Sequence, residues 1–234
     1  MISDGAGFGQ GVPADDLRRW MTALGCTNTS FDPVAERTFY KAILAGDAGF
    51  FIEIAQRLAD SLHANDIEVV IGDAQEGMNP VHDLGRAITD TAIELAEYRL
   101  GRKIASYACT LAEWASWSAQ PHDESCVHLD LDEATFAEKQ SAVAGFLPWR
   151  AAVEEAIEKL GLDSYRTECL RPVTDKSPPA YDTVPYYEEH GMRRVAEGKY
   201  RTAIRYDEHV APIWRALRRQ AERETRRPVP AHAL

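Results

Sequence analysis

Apolar and polar positions along the chain follow two periods. Within residues 47–64, Phe50, Phe51, Ile54, Leu58 and Leu62 recur at helical spacing and share one face, which predicts an amphipathic helix. The run Ile67-Glu68-Val69-Val70-Ile71 is short and apolar and reads as a buried strand. A long helical pattern follows over 84–100, then a second strand candidate over 104–109. Residues 127–131 alternate as a strand does, and Asp132 is placed to cap a helix over 133–146. Other helices are predicted over 14–24, stopped by Gly25, over 149–160, stopped by Gly161, and up to residue 44 from an Asp32 cap with Pro33 at the first helical position. An extended segment is expected over 164–171, a surface loop over 174–185, and mostly helix over 186–223, broken near 199–206. This order of helix and strand predicts an α/β fold. The expected form is a three-layer domain with a mainly parallel, Rossmann-like sheet over 1–172, and a loop and helical C-terminal extension over 173–234.

The densest chemistry lies between the first strand and the long helix, in Gly72-Asp73-Ala74-Gln75-Glu76-Gly77-Met78-Asn79-Pro80-Val81-His82-Asp83. Ligands of open α/β sheets bind at the C-terminal ends of strands, where this segment stands. Asp73, Glu76, Asn79, His82 and Asp83 are residue types suited to acid–base work and metal ligation. His82 reads either as a metal ligand or as a helix-N-terminal histidine hydrogen-bonded to the loop. Asp4, before a glycine-rich run, shares this pocket if residues 1–3 end a neighbouring strand; a loose terminus is the other reading. Two late clusters, Tyr186-Tyr187-Glu188-Glu189-His190 and Arg205-Tyr206-Asp207-Glu208-His209, suit a sugar or polyol. They equally suit a helical hairpin with its tyrosines turned inward. Glu168, in an extended segment, faces either the pocket or solvent.

Charge and cysteine content narrow the class. A formal net charge of −11, from 37 acidic and 26 basic residues, argues against a broad nucleic-acid footprint. The arginines within 193–227 fall on a helical pattern and read as a solvated face, from which a few can meet an anionic ligand. Cys26, Cys109, Cys126 and Cys169 form no CxxC pair, which disfavours a zinc–cysteine site and predicts reduced, mostly buried thiols in a cytoplasmic protein. No leader pattern and no apolar run near the ~20 residues of a membrane span are seen, so no membrane partner is expected.

Taken in order, these segments resemble the PIG-L/LmbE-type de-N-acetylases. Ile2-Ser3-Asp4-Gly5-Ala6-Gly7 is similar to that family's strand ending in a Thr-Asp-Gly-like loop. Arg18 or Arg19 through Ala23-Leu24-Gly25 resembles its following helix. Residues 67–83 resemble its strand and Gly-x-x-His-Pro-Asp-His loop. Asp130 with Lys139 and Ala142, and Tyr165-Arg166-Thr167-Glu168, resemble later segments. The resemblance covers roughly residues 1–171 and implies a zinc-dependent hydrolase acting on an N-acyl amide of an amino-sugar-like small molecule. It implies His82 as metal ligand, Asn79 at the oxyanion position, and Asp73 or Asp83 as base or supporting carboxylate; Asp4, Glu76, Glu168 and Arg205 are substrate-binding candidates from their residue types and positions. The family's His-Pro-Asp-Asp-Glu segment has no counterpart; Pro13-Ala14-Asp15-Asp16-Leu17 looks similar but lacks the histidine. Three expectations stay open: a truncated start, a metal-free relative serving as a binding or partner protein, or a site rebuilt from Glu188, His190 or His209. A missing strand leaves an unpaired sheet edge, which predicts a homodimer.

Overall fold

The chain is described here by a computed structural model covering residues 14–26, 34–109, 126–146 and 150–226. The expected Asp32–Pro33 helix start, the glycine-rich opening with Asp4, and the tryptophan-rich segment after Cys109 lie outside these residues. Helices α1 (Ala14–Ala23) and α2 (Glu36–Ala45) lead to α3 (Ala48–Ala64), which Asp47 caps by accepting from the Phe50 amide. Strand β1 (Val69–Asp73), helix α4 (Pro80–Leu100) and strand β2 (Ala105–Cys109) follow, then β3 (Val127–Asp130), α5 (Glu133–Ala144), α6 (Arg150–Leu160) and β4 (Thr167–Pro172). Helices α7 (Tyr186–Ala196) and α8 (Ala211–Thr225) complete the described chain, with a π-turn at Tyr206–Val210 before α8.

The four strands form one mixed sheet in the order β1-β2-β4-β3. Only β1 and β2 are parallel; β4 runs antiparallel to both β2 and β3. The expected mainly parallel sheet is therefore corrected, and the number of intervening helices explains why. One helix, α4, returns the chain to the end where β1 began, so β2 runs alongside it. Two helices, α5 and α6, return it to the end where β3 finished, so β4 must run back.

Among the described residues, the first strand is also an edge rather than a buried strand. Val70 packs against the cluster of Leu62, Ala92 and Ile93, whereas Val69 and Ile71 on the other face are 52% and 54% exposed. On the covered face, α3, α4 and α8 pack together around Phe51, Leu84, Ile88, Ile213, Trp214 and Leu217. Residues on both sides of position 172 thus share one core. Inside it, Arg86 bonds Asp90 at 2.6 Å and reaches the Ser106 hydroxyl at 3.3 Å, strapping α4 to β2. Both groups are buried, so the cost of desolvating them offsets much of their attraction. Among the described residues, no helix is long and apolar enough to cross a membrane.

Trp214 is fully buried, and its indole N–H donates to the Lys176 carbonyl at 3.2 Å. Trp214→Ala should lose about 3–5 kcal/mol through the cavity it leaves, measured by denaturant unfolding.

Candidate functional site

The polar loop is built by a strand end, a glycine and a helix cap. Ala74 N–H still donates to the Cys109 carbonyl, which carries the sheet one residue past β1. Gly77 then turns with φ +67°, and a Cβ there would stand 3.2 Å from the Tyr181 ring. Both the left-handed backbone and the close approach require glycine. Asn79 Oδ1 accepts from the Val81 amide at 2.8 Å, and Pro80 takes the first helical position, so α4 starts before the expected residue 84. His82 and Asp83 consequently sit in the first turn of α4, where the helix dipole favours negative charge.

That turn sends its two reactive side chains to different places. His82 Nδ1 lies 2.7 Å from Asp73 Oδ2, with the two side chains 42% and 40% exposed. The hydrogen bond that the ring donates to Asp73 raises the His82 pKa above 6.5; burial opposes this, and the charges of Asp73, Glu36 and Asp83 add to it. Asp83 points inward and is 1% exposed. It accepts from the Glu76 and Gly77 amides at 3.1 and 3.3 Å and from the Tyr181 hydroxyl at 2.7 Å. Burial lifts its pKa, and the Tyr181 and backbone hydrogen bonds hold part of that rise back. Burial is also the main cause of the raised Tyr181 pKa.

The remaining predicted residues divide. The Asn79 amide, besides capping α4, bonds the Tyr40 hydroxyl, which donates to Glu36 at 3.1 Å. A cleft of about 490 Å³ opens beside this chain, lined by Tyr40, Asn79, Tyr187 and Tyr200 with Arg37 and Arg201. Glu168 pairs with Lys139, whose ammonium also reaches the Tyr165 carbonyl at 2.9 Å. The charges of Asp73, Glu168 and Glu76 all raise the Cys109 thiol after the larger effect of burial, so these groups gather around one sheet end. Arg205 instead pairs with Glu208 at 3.0 Å, and no hydrogen bond or ion pair joins it to Asp73 or His82 among the described residues. The geometry thus brings together Asp73 and His82, with Glu76 and Glu168 nearby. It assigns Asp83 and Asn79 to holding the loop, and Asp4 lies outside the described residues.

A second group was not anticipated. The ligand atoms of Cys126, His128 and Cys169 all lie within 4.8 Å of one another and can hold a metal ion. His128 lies on β3, and Cys126 stands two residues before it, at the bend that leads into the strand. The antiparallel pairing then sets Cys169 directly opposite His128. The absence of a CxxC pair left this group unseen: the spacing in Cys126-Val127-His128 was the legible signal, and cross-strand pairing supplies the third candidate donor. Burial raises the Cys169 thiol, the neighbouring Cys126 thiol adds to it, and Arg171 opposes it. By contrast, no group of three such donors forms around His82 among the described residues.

No protein-family model, no curated protein and no solved structure matches this chain.

The Asp73–His82 contact makes a pH-dependent contribution to the fold. Because the folded His82 pKa is raised, that contribution is complete below about pH 6.5 and is lost as pH rises through the raised value. NMR titration should place the His82 ring above its ordinary value in the native chain, and Asp73→Asn should bring it down. An unmoved titration in Asp73→Asn would show that the contact does not form in solution.

Proposed function

We propose that the chain is a hydrolase of the de-N-acetylase kind, cleaving the N-acyl amide of an amino-sugar-like small molecule. The observation that carries this reading is the Asp73–His82 pair at 2.7 Å, half-exposed at the C-terminal end of a sheet strand. Asp73 fixes the orientation of the imidazole through Nδ1. The other ring nitrogen makes no hydrogen bond to the described residues, and the side chain is 42% exposed. A histidine held in this way can take a proton from an attacking water and return one to the leaving nitrogen. Its raised pKa favours the second step, in which the charged ring acts as the acid. The neighbouring tyrosine-lined cleft with Arg37 and Arg201 suits a polyhydroxylated ligand, whose apolar face stacks on rings while cations meet its oxygens.

Zinc is the metal that the resemblance implies at His82, and the donors there do not fit it. The Asp73 bond at Nδ1 leaves the other ring nitrogen able to ligate, but no second and third protein ligand join it among the described residues. A second reading, a binding protein that keeps the pocket without turnover, is favoured by Asp83 and Asn79. Both side chains are engaged by the loop's own backbone and by tyrosine hydroxyls, Tyr181 on Asp83 and Tyr40 on Asn79.

His82→Ala should lower kcat/KM on N-acetylated amino sugars by about 10²–10⁴-fold, the usual range for losing a positioned acid–base group. Asp73→Asn should retain more activity and shift the acid-side limb of the pH profile. Amino-sugar binding with no amine release by the native chain would favour the binding-protein reading, and turnover untouched by His82→Ala would remove the dyad from catalysis.

A further inference from the structure

Cys126, His128 and Cys169 take no part in the hydrolytic reading and stand on the opposite face of β4 from Glu168. His128 and Cys169 are directly paired across β3 and β4. Directly paired residues hold their Cβ atoms about 4.5–5.5 Å apart. Cys126 immediately precedes β3. Both thiols are free, and their sulfur atoms and the imidazole nitrogen converge within 4.8 Å.

That convergence suits a cation. With metal–sulfur bonds of about 2.3 Å and metal–nitrogen bonds of about 2.0–2.1 Å, the ligands of a tetrahedral zinc lie roughly 3.5–3.8 Å from one another. Small side-chain rotations close the difference. Cys169 is 4% exposed and anchors the group inside, while Cys126 and His128 are half-buried and leave its outer side accessible. Two thiolates and one neutral imidazole also cancel the charge of a divalent ion, which removes most of the cost of holding it in a partly buried place.

We propose that Cys126, His128 and Cys169 bind one zinc-class divalent cation, with the fourth coordination position open to water or an exogenous ligand. Binding releases one proton from each thiol to solvent and leaves the imidazole neutral, so the protein site balances the two charges of the ion. Thiolate donors select zinc over magnesium or calcium. The site ties the start of β3 to β4, and it stands independently of whether Asp73 and His82 catalyse hydrolysis.

The test uses the full chain, reduced and stripped of metal by a chelator, then titrated with Zn²⁺ and with Co²⁺. One equivalent should bind, and the Co²⁺ form should show a thiolate-to-metal charge-transfer band. Cys126→Ser and His128→Ala should each weaken binding by more than the roughly 10–100-fold that loss of an outer-shell partner costs. Cys109→Ser and Cys26→Ser should leave binding unchanged. Cys169→Ser replaces a core thiol, so its circular dichroism is recorded alongside, and the two half-buried variants decide the matter should it unfold. Absence of saturable binding by the folded chain would overturn the proposal. So would binding that survives both Cys126→Ser and His128→Ala, or a Cys126–Cys169 disulfide in the protein as isolated.

Discussion

A carboxylate withdrawn from water, Asp83, holds the candidate site in shape. Its two oxygens collect the Glu76 and Gly77 amides and the Tyr181 hydroxyl. These bonds join three stretches of chain: the loop after β1, the first turn of α4, and the segment leading into α7. An isolated buried carboxylate is expensive, and only a full set of donors makes it tolerable. Satisfying Asp83 therefore fixes the loop path, and the loop path places Asp73 against His82. The demand for a glycine at 77 follows from the same packing, because Tyr181 must come close enough to donate.

Much of this arrangement was legible in the residues, for reasons that differ by element. The α3 face repeats at helical spacing and has a capping aspartate, so pattern and cap agreed. The β1–α4–β2 unit was legible because a single long helix between two short apolar runs leaves few alternatives. The start of α4 was read late because the reactive residues of 72–83 look like a loop, whereas Asn79-Pro80 is itself a cap followed by a first helical residue. Apolarity alone made β1 look buried. Val69 and Ile71 show that an edge strand covered on one face can carry the same composition.

The site residues were legible as types and not as roles. Histidine and aspartates in one loop signalled chemistry, but which carboxylate would face solvent depends on tertiary contacts. Tyr181, which claims Asp83, stands far along the chain and carries no local mark of that partnership. The thiol–imidazole group was hidden for a related reason. Local spacing exposes ligands that lie on one turn or loop, while here the third donor arrives through an antiparallel pairing that the expected parallel sheet did not contain.

Strand β4 sits between β2 and β3 and presents consecutive residues to opposite sides. Glu168 faces the dyad's side of the sheet with Lys139, and Cys169 faces His128. The two chemistries are thus phase-locked by a single peptide unit. Inserting or deleting one residue in β4 would exchange the carboxylate and the thiol between faces, disarming both at once. The spacing between these neighbours is consequently a tighter constraint on sequence drift than the identity of either residue alone.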